Sequence, residues 1–109
     1  MAVKDLIREQ RFLEDVERGI REANQDIIHQ RLSPITMENL MPFATSVARL
    51  RARYLEAAFK FSEKSTADSL EDSEIEELRR HRMAFEEARD AFEALRHAIE
   101  RGYVELGEE

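Results

Sequence analysis

The chain has 109 residues, 42% hydrophobic and 38% charged, with a formal net charge of −7. That length suits one domain with a modest core, and three glycines with two prolines are too few turn-formers for the many hairpins of an all-β fold. The absence of cysteine excludes disulfides and thiolate chemistry, and the acidic balance works against non-specific nucleic-acid binding, where a basic face supplies most of the affinity.

The opening stretch, MAVKDLIREQRFLEDVERG, scatters charge and lacks the unbroken apolar run of a signal peptide, and no stretch could span a bilayer. A cytoplasmic protein with no membrane contact is the expectation. Leu6, Leu13, Val16, Ile20, Ala23 and Ile27 then recur at steps of three, four and seven, which predicts a first helix over about 3–32. The stripe keeps its phase through Gly19, so this glycine is read as interior, a place where a neighbouring helix comes close. Ser33-Pro34 ends the helix, because the residue before proline disfavours the α region.

Leu40, Phe43, Val47, Leu50, Tyr54, Ala57 and Phe61 alternate steps of three and four without a fault, and Ala44, Ala48, Leu55, Ala58 and Phe59 widen the apolar face. Pro42 would cost a hydrogen bond in a helix interior but is accepted in a first turn. The expectation is a short turn over 35–41, then a second helix over about 42–63. The polar stretch SEKSTADSLEDSEIEE reads as the connection to a third helix over about 73–101, with Ser73 to Glu76 at capping-box spacing and Ser69 and Asp72 offering the same spacing. Leu78, His81, Phe85, Ala88, Phe92, Leu95 and Ile99 share its seam. Gly102 falls where a left-handed residue would close the helix, leaving a tail over 102–109.

Three such rods with short connections predict an all-α, up-down-up antiparallel bundle of three long helices, with dimerisation as a way of completing it. Residues of helices two and three whose numbers sum to about 134 then lie side by side: Tyr54 by His81, Arg49 by Glu86, Glu56 by Arg79.

His81 breaks an apolar seam, and its plain reading is an imidazole bonded to Tyr54 or Glu77. The metal or enzyme alternative, built on His81 and carboxylates, lacks a Glu-x-x-His pair anywhere in the chain. The pair Glu74-x-x-Glu77 and Glu87-x-x-Asp90 resembles, in letter spacing, the acidic motif of all-helical nucleotide pyrophosphohydrolases. Here both halves fall on one continuous helix, which cannot fold back on itself, so a solvated acidic face is the reading. The clusters RLRAR (49–53) and RRHR (79–82) suggest a nucleic-acid regulator if unpaired, and interhelical ion pairs if set beside acids.

The five apolar residues of ITMENLMPF, Ile35, Met37, Leu40, Met41 and Phe43, form the candidate partner-binding surface, since methionine-rich apolar surface adapts to protein partners. The sequence thus points to a non-enzymatic helical interaction protein, an adaptor, chaperone-like or regulatory module. It has no catalytic, cofactor or metal residues, and its partner is a protein, itself included as a homodimer.

Overall fold

A computed structural model describes residues 2–65 and 71–108. The chain is all-α: α1 (Val3–Arg31), α2 (Met37–Ser65) and α3 (Asp72–Glu100). The described residues contain no strand, only an isolated parallel bridge between Ile35 and Leu106. Two compact units result, one of Met37–Arg96 and one of Met1–Thr36 with His97–Glu109.

In the first of these, α2 and α3 pack as an antiparallel pair. Phe43 meets Phe92 edge-on with ring centroids 5.3 Å apart, and Tyr54 stacks on Phe85 at 6.0 Å. Near the far end of the pair, Lys64 Nζ reaches Glu74 Oε1 at 3.4 Å. Val47 and Phe85 are its buried apolar side chains, the centre of a small core.

Helix α2 starts at Met37, not at Pro42 after a separate turn, and Pro42 lies inside it. The missing amide would have been only the second intrahelical donor of the helix, bonding to the carbonyl of Glu38, so one bond near an end is lost and the turn continues. Four residues on, Ser46 Oγ donates to the Pro42 carbonyl at 3.0 Å.

Helix α3 opens on Glu71, whose carbonyl accepts from the Glu74 and Ile75 amides at 3.0 and 3.4 Å. Ser73 therefore sits in the first turn and donates its hydroxyl to Glu71 Oε2 at 3.4 Å, instead of capping from outside. The alternative cap at Ser69 lies outside the described residues.

In the other unit, α3 ends as its sequence predicts. The Tyr103 amide donates to Ala98 O at 2.8 Å and the Gly102 amide to Ile99 O at 3.1 Å, with Gly102 at φ +73°. This is the paired hydrogen-bond pattern of a Schellman motif, which requires a left-handed residue at this point.

The tail then returns to the connector after α1. The Ile35 amide donates to Glu105 O at 2.8 Å, and the Gly107 amide to Ile35 O at 2.9 Å. Val104, just before Glu105, is buried. Two side chains of α1 hold the same segment, Gln25 Nε2 donating to Gly102 O at 3.0 Å and Glu17 accepting from Arg101 Nη2 at 3.3 Å.

The three glycines serve three purposes. A Cβ on Gly19 would meet nothing within 4 Å, so no neighbouring helix approaches there, contrary to the sequence expectation. A Cβ on Gly107 would lie 2.8 Å from Thr36 Cγ2 and 3.2 Å from Pro34 Cβ. Urea unfolding should therefore rank the variants: Gly19→Ala gains roughly 0.5–1 kcal/mol from helix propensity. Gly102→Ala loses about 1–2 kcal/mol from the left-handed backbone. A loss at Gly19 of that size would mean the position is covered after all.

Candidate interaction surfaces

The seam of α2 and α3 is aromatic and cationic. Phe85 receives the Tyr54 ring on one side of its environment, and the guanidinium carbons of Arg51 and Arg89 lie 5.1 and 5.4 Å from its ring centroid. Each such contact is worth about 0.5–1 kcal/mol where the cation stays partly wet. The register runs slightly further along than the sequence suggests: Tyr54 faces Phe85, one turn beyond His81. Helix α2 extends to Ser65 and α3 begins at Asp72, and the shift shows at Tyr54–Phe85 and Lys64–Glu74, whereas Phe43–Phe92 keeps the expected register to within one residue.

His81 is half-buried and lines a groove of about 380 Å³ with Glu77, Glu74, Glu56, Lys60 and Lys64 among its walls. Acids and lysines alternate around it, and Lys64 already pairs with Glu74. Among the described residues no group of three or more His, Cys, Asp or Glu is placed to hold a metal ion.

The RRHR cluster pairs along its own helix. Arg79 Nη1 meets Glu76 Oε2 at 2.9 Å and Arg82 Nε meets Glu86 Oε1 at 3.9 Å, both within α3. Glu56, expected beside Arg79, instead accepts from Lys60 at 3.4 Å. All are exposed pairs, each worth a fraction of 1 kcal/mol, and Arg51 is spent on the Phe85 ring.

Among the five candidate partner-binding residues, Ile35 and Phe43 have neighbours within the fold. Ile35 bridges to Leu106, and Phe43 packs on Phe92. Leu40 is half-buried. Met37 and Met41 remain about half exposed and line a shallow depression with Pro42, Thr45, Ser46 and Arg49.

A longer exposed apolar stripe lies on α1. No residue of α1 is buried, although its stripe was expected to line a shared core. Leu6, Leu13, Ile20 and Ile27 are 47–55% exposed, and Phe12 beside them is 66% exposed. A helix turns a stripe of this kind towards an apolar neighbour, and contiguous exposed apolar surface marks an interaction site. Sequence reading missed this, yet one signal was present. The stripe advances by sevens in its first half and carries Glu9 in its midline, a narrow seam unlike the broad face of α2.

No helix among the described residues is long and apolar enough to cross a membrane. Comparison with protein families, with curated proteins and with solved structures gave no match.

The seam makes a sharp demand on Phe85. Phe85→Ala should cost about 3 kcal/mol in urea unfolding, through lost burial and the cavity left behind, whereas Arg51→Gln should cost under about 1 kcal/mol. Equal losses would place the weight of the seam on its cations.

Proposed function

We propose that this chain is a non-enzymatic helical interaction module that binds a protein partner through the apolar stripe of α1. The observation that carries this reading is a 29-residue amphipathic helix with no buried residue. Four aliphatic side chains spaced by sevens along one face of it stand about half exposed. Leaving such a half-exposed stripe in water forfeits about 1 kcal/mol for each large side chain that a partner could cover. Met37 and Met41 supply a second, smaller apolar surface of the adaptable kind. With Leu40 they form the start of α2 through which a partner could be gripped. The module acts in the cytoplasm, as an adaptor, chaperone-like or regulatory protein.

Nucleic-acid binding is the weaker reading, because Arg79 and Arg82 have acids of their own helix beside them and the net charge is −7.

The test is a Leu13→Glu, Ile20→Glu double variant. Neither side chain is buried, so far-ultraviolet circular dichroism should report the helicity of the unaltered chain. Chemical cross-linking in the native cell should lose the partner, or the self-association, that the unaltered chain captures. Unchanged capture would contradict the reading, as would collapse of helicity, which would place the stripe in the fold.

A further inference from the structure

The α1 face also says what covers it. We propose that a second copy of this chain packs on it, with the two α1 helices antiparallel about a two-fold axis near residues 16–17; the proposal rests on α1 being the binding face and names its occupant.

Three observations on α1 converge. The first is the spacing of the stripe. Leu6, Leu13, Ile20 and Ile27 step by seven, so a two-fold axis at their midpoint sets Leu6 level with Ile27 of the other copy and Leu13 level with Ile20. Each layer then joins a leucine to an isoleucine, and the same four residues serve both copies, as an isologous interface requires.

The second is charge. Arg8 and Asp26 are eighteen residues apart, which is five full turns, so both stand on one flank of the stripe. In antiparallel pairing, flanks of the same side meet. Arg8 of each copy then lies level with Asp26 of the other, and two opposite-charge pairs form by symmetry, while the two Glu17 carboxylates that meet at the axis are each held by Arg101 of their own chain. Parallel pairing does the reverse: Glu9, the charge in the midline of the stripe, would face Glu9 of the second copy inside the seam. Antiparallel pairing keeps the two Glu9 residues apart, opposite the Asn24–Gln25 region, and also opposes the helix dipoles.

The third is extent. Helix α1 runs Val3–Arg31, and its centre, residue 17, coincides with the axis that the stripe and the charges select. The two helices therefore overlap over their whole length, about 44 Å at the α-helical rise. With a contact about 12 Å wide, roughly 500 Å² is covered on each copy and roughly 1,000 Å² on the pair, the size at which a specific interface becomes stable.

The chain has no cysteine, so a single introduced one reports geometry cleanly. Full-length Lys4→Cys, spin-labelled and measured by pulsed dipolar spectroscopy, should give a distance of about 39 Å across the axis. A parallel pair, with Lys4 on the far face of each helix, would give about 20 Å, and that result would overturn the proposal.

Sedimentation equilibrium supplies the second arm. Ile20→Glu should yield a monomer of unchanged helicity. Arg8→Asp and Asp26→Arg should each weaken dimerisation about tenfold, and the Arg8→Asp, Asp26→Arg double variant should regain most of the loss. Dimerisation indifferent to Ile20→Glu, or no recovery in the double variant, would overturn it. A strict monomer up to millimolar concentration would also overturn it. That result would leave the broader partner-binding reading to its own capture experiment, in which a different protein is lost on Leu13→Glu, Ile20→Glu.

Discussion

An amphipathic helix has to cover its apolar side, and this chain meets that requirement unevenly. In α2 and α3 the two stripes cover each other: Phe43 on Phe92, Tyr54 on Phe85, with Val47 and Phe85 buried. In α1 the same chemistry is present and no residue is buried. A 29-residue helix of this composition gains little from propensity alone, and most helical stability in water comes from packing of the apolar face. The α1 helix therefore draws its support from outside its own stripe, through the tail on one flank and, in our proposal, through a second copy on the stripe itself.

The tail segment shows how a few polar groups can fix a short piece of chain. Arg101 reaches Glu17, Gln25 holds the Gly102 carbonyl, and Ile35 exchanges two backbone hydrogen bonds with the tail through Glu105 and Gly107. A side-chain hydrogen bond with Tyr103, followed by the charges of Tyr103 and Glu17, raises the Arg101 pKa further above its ordinary value. The guanidinium is therefore charged when it meets Glu17 at neutral pH. Gly107 permits the tail to lie against Pro34 and Thr36 where a Cβ would collide. None of these contacts covers Leu6, Leu13 or Phe12, which stay open.

Helix content, the stop at Gly102 and the antiparallel pairing of α2 with α3 were legible in the sequence, because each rests on a local rule: apolar periodicity, a left-handed glycine, a short connection. Pro42 misled because proline is judged by its nearness to a helix end, and that end was set by Met37, five residues earlier. The partner of Tyr54 was misplaced by one turn because cross-helix register depends on where both helices stop, a non-local quantity. The candidate corner was only partly right, as Ile35 and Phe43 have neighbours that lie seventy-one and forty-nine positions away in sequence. The same limit hid the openness of α1. A stripe announces that it needs cover but does not say which surface supplies it. In our proposal the cover comes from a second copy, which leaves Glu9 in the midline opposite the Asn24–Gln25 region.

The account stands on the α1 stripe being open in the isolated chain. The most direct measurement is carbene footprinting of Leu13 and Ile20 across a dilution series from millimolar to nanomolar, with Phe85 as the buried reference. The account predicts labelling of both α1 residues that climbs on dilution to the level of a solvent-exposed side chain, while Phe85 stays dark throughout. Labelling of Leu13 and Ile20 that remains as low as that of Phe85 at every concentration would contradict it.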